Sequence, residues 1–326
     1  MKKMFKIIGI ALAVLVAIGA LAAGYVKFVL PDIEEASYVT IERTPQRIER
    51  GKYLATHVAV CLDCHSKRQW NFYSGPMANE EIGGGGEVFN REMGFPGVFY
   101  APNVTPYALG AWSDGEILRS ITTGVDKDGK ALFPLMAYHR FGRMAEEDVY
   151  SIVAYLRTLA PVEKNVPESE VDFPVSILIN TMPAEADFQV LPDVKDKVQY
   201  GKYLANAAGC VDCHSKTDKG AVVAGTEFGG GMEFKQPAGI ITSTNITFDK
   251  ETGIGNWSKE SFVARFKMYA GKDYKPVGVG KNDVNTPMPW TMYAGMKDSD
   301  LEAIYAYLKS IEPIKNEVVR VRKAGS

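Results

Sequence analysis

Two short stretches of this chain, Cys61-Leu62-Asp63-Cys64-His65 and Cys210-Val211-Asp212-Cys213-His214, share the pattern Cys-x-x-Cys-His and hold all four of its cysteines. Two thiols about one helical turn apart can each form a thioether with a vinyl group of a haem, and the histidine that follows can then bind the iron. The pattern therefore predicts two covalently bound haem c groups, with His65 and His214 as iron ligands.

Three other roles for paired cysteines fit the sequence less well. A zinc site built from both pairs is disfavoured because each pair stands at the start of a complete repeat with its own histidine. A redox-active dithiol of the thioredoxin type belongs in a βαβ context, which this sequence lacks. Two structural disulfides would leave both histidines unexplained, and four cysteines are too few to stabilise a chain of 326 residues.

The two motifs open two copies of one sequence plan. Gly51-Lys52-Tyr53-Leu54-Ala55 precedes the first motif and Gly201-Lys202-Tyr203-Leu204-Ala205 precedes the second. In both copies a glycine run, an Asn-x-Thr triplet, a Gly-x-Trp-Ser segment, a loop with proline and methionine, and a final helical pattern then follow in that order. The repeat predicts two tandem domains of one fold, at residues 40–165 and 196–316, joined by a linker at 166–195.

Each copy begins and ends with a helical pattern of apolar residues, so the fold class is predicted to be mainly α. Thr44, directly before a proline, is typical of a helix N-terminus. Gly51 and Gly201 would let another helix approach the backbone closely, with Tyr155 or Tyr307 of the last helix packed there. Between these helices the sequence is rich in glycine and proline, and a large buried cofactor would organise such a stretch.

The sixth iron ligands are predicted from the methionines. Met136 and Met288 occupy equivalent loops that contain proline, which stiffens a loop enough to hold a sulfur at the iron. His139, three residues after Met136, is the alternative in the first repeat. Met144 and Met296 directly precede the start of the last helix, where a core residue is expected. We therefore predict two pairs of iron ligands, His65 with Met136 and His214 with Met288.

Residues 1–31 are predicted to form a membrane anchor. Three lysines among the first six residues precede an uncharged run from Ile7 to Ala23. The 24 residues from Ile7 to Leu30, at about 1.5 Å each, span about 36 Å, which suffices to cross a hydrocarbon core of about 30 Å. A cleaved signal peptide is the alternative, because Ala20-Leu21-Ala22 resembles a processing site. In both cases the basic end stays inside and the rest of the chain is exported. With the anchor retained, we expect an inner-membrane protein with its haem domains on the periplasmic side.

The composition excludes two broad classes of protein. With 46% hydrophobic and 23% charged residues, the chain is not a disordered one. Lys and Arg number 37 against 39 Asp and Glu, so the sequence does not predict a nucleic-acid partner.

These residues resemble the class I c-type cytochromes, and more narrowly the multihaem cytochrome subunits of membrane-associated alcohol and sugar dehydrogenases. The second repeat is the closer match, through Thr244-Asn245-Ile246-Thr247, residues 250–257 and Met288-Pro289-Trp290. The resemblance covers about residues 50–313 and implies a mostly helical fold around each haem, His/Met-ligated iron and periplasmic electron transfer. Two features depart from the pattern. Those subunits carry three haem motifs, and the first repeat has Met136-Ala137-Tyr138 in place of Met-Pro-aromatic.

We therefore predict a membrane-anchored dihaem electron carrier that is not itself an enzyme. Its expected donor is a quinol-oxidising complex or a dehydrogenase, and its expected acceptor is a soluble carrier or a terminal oxidase. Two alternatives stay open. One is the cytochrome subunit of an alcohol or sugar dehydrogenase; the other is a dihaem peroxidase, which needs one iron with an open or displaceable distal side.

Overall fold

The computed structural model describes residues 2–271 and 274–324. The fold is mainly helical, with 39% helix and 9% strand, which confirms the predicted fold class. The chain divides into two compact units, one made of Met1–Thr40, Trp112–Arg143 and Val171–Asp187, and the other of Ile41–Ala111, Met144–Glu170 and Phe188–Ser326. The two tandem domains and their bounds stay a prediction.

The first unit contains the helix Lys2–Phe28, none of whose residues is buried. This helix is long and apolar enough to cross a membrane, and a signal sequence would have the same properties. At its end, Asn180 donates a hydrogen bond through Nδ2 to the carbonyl oxygen of Val26 at 3.1 Å. The other helical segments of this unit are Asp114–Thr123, Tyr138–Phe141, Val175–Leu178 and the 3₁₀ turn Ile179–Thr181.

Two pairs of helices form the core of the second unit. We call Pro45–Tyr53 and Lys197–Ala207 the first and second opening helices, and Glu146–Leu156 and Asp298–Ser310 the first and second closing helices. Each opening helix packs on the closing helix of its own repeat. The side chains between them include Leu54, Ile152, Leu204 and Leu301, each fully buried. As predicted, Thr44 caps the first opening helix, because its hydroxyl oxygen accepts the backbone N–H of Arg47.

Glycine lets the two helices of each pair touch. A Cβ atom at Gly51 would lie 1.7 Å from the carbonyl oxygen of Ser151, and one at Gly201 would lie 1.9 Å from that of Ala303. The predicted close approach of a second helix is therefore confirmed in both repeats. At Gly51 the Cβ of Tyr155 is also near, as predicted for that tyrosine, whereas backbone atoms of Ala303 and Ile304 are the nearest neighbours of Gly201.

The first repeat has one more residue than the second between its opening-helix glycine and its Cys-x-x-Cys-His motif. The additional residue is accommodated by a π-helical turn, Leu54–Val58. This turn ends where the N–H of Ala59 donates to the carbonyl oxygen of Leu54 at 2.7 Å. A π-helical turn has a longer hydrogen-bonded span than an α-helical one. Both motifs then start from the same left-handed backbone conformation, with φ 47° at Val60 and 69° at Gly209.

Short helices and small antiparallel strand pairs fill the glycine- and proline-rich stretches of the second unit. Val88 pairs with Tyr100 in one of these ladders, and Glu233 pairs with Thr242 in another. The remaining helical segments are Cys61–Cys64, Arg91–Met93, Pro106–Leu109, Cys210–Cys213, Lys259–Lys267 and Trp290–Tyr293. The strands are Val88–Phe89, Gly97–Tyr100, Thr217–Asp218, Ala221–Val222, Glu233–Gln236, Gly239–Thr242 and Val321–Lys323. A further strand is Glu170–Val171, whose second residue belongs to the first unit.

Within the second unit, the tyrosines of the opening helices bind aspartates of the opposite repeat. Tyr53 donates its hydroxyl to Asp300 at 2.7 Å, and Tyr203 donates its hydroxyl to Asp148 at 2.5 Å. Both aspartates are buried and both stand in the first turn of a closing helix. The two bonds are reciprocal, so the same sequence positions hold the repeats together from both sides. Asp148 is also bound by Arg50, which donates through Nε to Oδ1 at 2.8 Å and through Nη2 to Oδ2 at 2.7 Å.

We expect an Arg50→Ala substitution to lower the free energy of unfolding by about 2 kcal/mol, less than for a fully buried pair because Arg50 is partly exposed. The loss arises because the carboxyl group of Asp148, 3% exposed, would lose both of its hydrogen bonds from Arg50. Arg47→Ala is the matched control, since Arg47 binds the exposed Glu147 and such a surface pair contributes about 0–1 kcal/mol. Urea unfolding of both variants measures the difference, and equal losses would contradict it.

Candidate functional site

Each Cys-x-x-Cys-His motif forms a single helical turn. The turns are Cys61–Cys64 and Cys210–Cys213, and in each the N–H of the following histidine bonds the carbonyl oxygen of the first cysteine, at 3.1 Å for His65 and 2.9 Å for His214. All four cysteines lie in the described part of the chain, and none of them forms a disulfide there. The two thiols of each motif are therefore about one helical turn apart, as predicted.

A backbone carbonyl orients each motif histidine. Nδ1 of His65 lies 2.7 Å from the carbonyl oxygen of Pro102, and Nδ1 of His214 lies 2.8 Å from that of Thr244. A carbonyl oxygen only accepts hydrogen bonds, so Nδ1 carries the proton in both rings and Nε2 keeps its lone pair. Metal-binding histidines characteristically donate their second ring N–H in this way.

The surroundings keep both imidazoles neutral. Burial lowers the pKa of His65 and that of His214, and the bond to the carbonyl offsets only part of this effect. Burial also raises the pKa of the Cys64 thiol to about 12. A site that disfavours charge at both the imidazole and the thiol suits an apolar group bound through thioethers and a neutral nitrogen ligand.

The Asn-x-Thr triplets hold the carbonyls that orient the histidines. Pro102 and Thr244 directly precede Asn103 and Asn245. In the second repeat, Oδ1 of Asn245 accepts the backbone N–H and the hydroxyl of Thr247 at 2.9 and 2.7 Å. Its Nδ2 donates to the carbonyl oxygen of Ile314, just past the second closing helix, at 2.7 Å. Asn103 makes the equivalent bonds in the first repeat, so both triplets are buried structural turns and not exposed glycosylation sites.

The glycine runs complete this support from the other side. The N–H of Gly85 donates to the carbonyl oxygen of His65 at 2.9 Å, and that of Gly230 donates to the carbonyl oxygen of His214 at 2.8 Å. Gly85 and Gly230 both have a left-handed backbone, with φ 70° and 77°. A Cβ atom at Gly230 would lie 2.6 Å from the backbone of Thr244, the residue whose carbonyl oxygen faces His214. Glycine is required here because the two backbone segments touch.

Neither the orienting carbonyls nor these glycines were identified as site residues from the sequence. The signal for them exists, however, because the same residue types recur in the same order in both repeats. No local pattern in the sequence connects the motif histidine with the residue that orients it, which is 37 positions further along in the first repeat and 30 in the second.

We expect Asn245→Ala to lower the free energy of unfolding by about 2–3 kcal/mol, because it leaves the buried N–H of Thr247 without a partner. It also removes one of the two donors to the carbonyl oxygen of Ile314, which then keeps only the hydroxyl of Thr247 at 3.3 Å. Asn256→Ala is the control, since its amide makes one exposed bond, to Lys250. Its loss should stay below about 1 kcal/mol. Thermal unfolding checks the pair, and a loss for Asn245→Ala no larger than that of the control would refute the expected role.

The two predicted methionine ligands lie in turns of the same shape. The N–H of Trp290 bonds the carbonyl oxygen of Met288 at 2.8 Å, and the N–H of Tyr138 bonds that of Met136 at 2.7 Å. The residue between has φ −81° and ψ 64° at Pro289, and φ −75° and ψ 47° at Ala137. Both are close to the inverse γ-turn. The replacement of proline by alanine in the first repeat therefore leaves the turn intact.

The pairing of these methionines with the motif histidines stays a prediction. Met136 belongs to the first unit, whereas His65 belongs to the second; His214 and Met288 both belong to the second. Met136 and Met288 are half-buried, and His139, the alternative ligand, is exposed. Met144 and Met296 are almost completely buried, at 0% and 1% exposure, as expected for core residues.

The residues of both motifs fit a covalently bound haem. Each offers two thiols one turn apart and an imidazole whose Nε2 is available to iron. A zinc site would need further ligands close by, and the residues that the structure describes contain no group of three or more His, Cys, Asp or Glu side chains able to hold a metal ion together. The part of the haem site that the chain itself builds, from His65 to Pro102 and from His214 to Thr244, is present twice.

Known proteins similar in sequence to this chain include cytochromes. Residues 198–312 match the family model for cytochrome c. The cytochrome c subunit of the alcohol dehydrogenase (quinone) from Gluconacetobacter polyoxogenes is 27% identical over 285 residues, which make up 82% of this chain and 56% of that protein. The gluconate 2-dehydrogenase cytochrome c subunit of Pantoea cypripedii is 41% identical over 120 residues, 36% of this chain and 24% of that protein.

Another relative is similar over most of the length of both proteins. The diheme cytochrome c-type protein of Cereibacter sphaeroides is 24% identical over 275 residues, which are 78% of this chain and 83% of that protein. By contrast, this chain spans little more than half the length of the alcohol dehydrogenase subunit. The similarity to cytochrome c subunits of dehydrogenases that the motifs indicated is thus confirmed.

Proposed function

We propose that this chain, whose residues 198–312 form a cytochrome c domain, is an electron-transfer subunit that works with a membrane-associated dehydrogenase. The observation that carries the proposal is the similarity over 285 residues, across both repeats, to the cytochrome c subunit of a quinone-dependent alcohol dehydrogenase. Relatives of this kind favour a dehydrogenase over a quinol-oxidising complex as the electron donor. They also favour the role of an electron carrier over that of a catalytic subunit.

The proposal includes two haem c groups, one in each repeat. Cys61, Cys64, His65 and Met136 would hold the first, within a domain at residues 40–165, and Cys210, Cys213, His214 and Met288 would hold the second, within a domain at residues 196–316. The duplicated support of the motif histidine, by Pro102 in one repeat and Thr244 in the other, favours two sites of the same kind. The diheme relative of similar length favours the same count.

The chain's own residues would bind, orient and shield the redox centres. The cysteine thioethers fix each haem in place, and the haem iron supplies one-electron oxidation and reduction. The hydrogen bond from Nδ1 to a backbone carbonyl holds the imidazole in one orientation and makes Nε2 a stronger donor. A methionine sulfur as the sixth ligand raises the reduction potential, which suits acceptance of electrons from a dehydrogenase.

We also propose that residues 1–31 stay attached as an anchor in the inner membrane, with the haem domains on the periplasmic side. The length of the helix Lys2–Phe28, none of whose residues is buried, supports the proposal. Mass spectrometry of the protein purified from membranes tests it, because an intact chain retains Met1 or Lys2 at its N-terminus. A mature chain that begins near residue 23 and washes off membranes at alkaline pH would show that the segment is a signal peptide.

The experiment for the proposed function uses membranes from the native host, with and without this chain. Under anaerobic conditions, a primary alcohol or gluconate should reduce haem c in the membranes that contain the chain, and the signal should be missing from those that lack it. Reduction by a quinol but by neither substrate would refute the dehydrogenase partnership. Rapid consumption of hydrogen peroxide with oxidation of the haems would favour the peroxidase instead.

A further inference from the structure

A loop of the first repeat supports the predicted methionine ligand of the second. Ser74 is completely buried and donates its hydroxyl to the carbonyl oxygen of Met288 at 2.6 Å. The same hydroxyl oxygen accepts the N–H of Trp290 at 2.9 Å. Ser74 thus bonds both ends of the inverse γ-turn that carries Met288, and it does so from another repeat, more than 210 residues away along the chain.

The loop around Ser74 is itself rigidly held against the second repeat. The backbone N–H of Ser74 donates to Oδ1 of Asn285 at 3.0 Å. The amide nitrogen of Asn285 donates to the carbonyl oxygens of Trp70 and Phe72 at 3.1 and 2.8 Å. Asn285 is three residues before Met288, so the loop and the methionine turn share one network of hydrogen bonds.

Arg68 connects this network to the first Cys-x-x-Cys-His motif. Its guanidinium is buried and donates in three directions, to the carbonyl oxygen of Ser74 at 2.6 Å, to that of Gly75 at 2.8 Å and to Oδ2 of Asp63 at 2.9 Å. Asp63 lies between Cys61 and Cys64 of the first motif. A continuous path of hydrogen bonds therefore leads from the first motif, through Asp63, Arg68 and Ser74, to Met288.

The backbone of Ser74 shows that the surrounding structure imposes this position. Its φ of 65° lies in the left-handed region, which is unfavourable for residues other than glycine. Serine in such a conformation, fully buried, is retained at a cost in stability that glycine would not incur. Glycine at this position would lack the hydroxyl group that bonds Met288 and Trp290.

We infer that Ser74 is a positioning residue for the sulfur of Met288, and that Arg68 ties this position to the first Cys-x-x-Cys-His motif through Asp63. The inference rests on the proposed function, because it takes Met288 as an iron ligand. Its consequence is that the second haem depends on the first repeat for its sixth ligand. The inferred role of Ser74 concerns Met288 and not Met136, so a substitution of Ser74 should affect one haem only.

The test uses the full chain with both haems attached and compares Ser74→Ala, Ser74→Gly and Arg68→Lys. The ferric form is examined for the charge-transfer absorption of the iron–sulfur bond, and the haems are titrated potentiometrically. We expect each variant to lose up to half of that absorption, and the reduction potential of one haem only to fall. The reason is that the sulfur of Met288, once displaced, no longer stabilises ferrous iron. Haem content should stay at that of the native chain.

Two comparisons separate this role from a general loss of structure. Ser74→Gly removes the hydroxyl but suits the left-handed backbone, so a fold at least as stable as that of Ser74→Ala, together with loss of the absorption, identifies the hydroxyl as the cause. Ser169→Ala is the control, because Ser169 accepts the N–H of Tyr100 and bonds no atom of the Met288 turn. It should keep the native spectrum and potentials. A native spectrum in Ser74→Gly would overturn the inference.

Met288→Ala distinguishes failure of the inference from failure of the proposed site. If Met288→Ala removes half of the absorption while all three variants at Ser74 and Arg68 keep it, the methionine is a ligand and the inference is wrong. If Met288→Ala itself leaves the absorption unchanged, Met288 is not a ligand and the proposed ligand set of the second repeat fails first.

Discussion

A Gly201→Ala variant is expected to lose about 3 kcal/mol or more of its free energy of unfolding. The added Cβ would lie 1.9 Å from the carbonyl oxygen of Ala303 and 2.4 Å from its carbonyl carbon. Both atoms belong to the backbone of the second closing helix, so no side chain can rotate away to make room. The two helices would have to separate, and the apolar side chains between them would lose contact.

Gly51→Ala should have an effect of the same size, because the first helix pair has the same geometry as the second. There the Cβ would lie 1.7 Å from the carbonyl oxygen of Ser151. Gly278→Ala is the control for both variants, since a Cβ at Gly278 meets nothing within 4 Å and its φ is not left-handed. We expect that control to change the stability by no more than about 0.5 kcal/mol.

Urea unfolding, followed by circular dichroism, measures all three variants on the full chain. Haem content should be determined in parallel, because the second motif begins at Cys210, only three residues after the end of the second opening helix. Helix separation would then also displace the second motif. Stabilities of Gly51→Ala and Gly201→Ala within the range of the control would show that the helices can part without loss, and would contradict the packing described for them.

The parts of the fold that could be predicted from sequence are those that depend on residues close together in the chain. The cysteine spacing specifies a single helical turn, and Thr44 before Pro45 specifies a helix start. Gly51 and Gly201 could be identified because the repeat places a glycine twice in otherwise good helical sequence. The cysteine motif and the helix glycine each occur twice, so the second copy of the pattern supports the first.

The parts that could not be predicted depend on contacts between distant segments. The segment between the motif histidine and Gly85 is four residues longer in the first repeat than the matching segment before Gly230 in the second, and Ser74 lies in this longer segment. Nothing in the local pattern shows that it contacts the loop of Met288. The reciprocal bonds of Tyr53 and Tyr203 to aspartates of the opposite repeat are equally non-local, although both tyrosines recur at equivalent positions.

Two differences in sequence between the repeats change the backbone very little. Ala137, where the resemblance leads one to expect proline, adopts nearly the same backbone angles as Pro289. The extra residue of the first repeat is confined to the π-helical turn Leu54–Val58. Backbone geometry tolerates both changes because alanine has access to the γ-turn region and because a π-turn accommodates an insertion without ending the helix.

Replacing both cysteines of one motif with alanine is expected to halve the haem content, from about two to about one covalent haem per chain. The double variants Cys61→Ala/Cys64→Ala and Cys210→Ala/Cys213→Ala should give the same loss, because thioether attachment needs only the cysteines of the motif concerned. Replacing all four should give a chain without covalent haem. A pyridine haemochrome assay against protein concentration measures the ratio.

Peptide mapping then shows which motif retains its haem. The two sites share none of the residues that orient the motif histidine: Gly85, Pro102 and Asn103 serve His65, whereas Gly230, Thr244 and Asn245 serve His214. Loss of one haem should therefore leave the other attached, even though Arg68 links the first motif to the Met288 loop, since that link bears on the sixth ligand and not on the thioethers. One haem in the unaltered chain, or loss of both from either double variant, would refute two independent attachment sites.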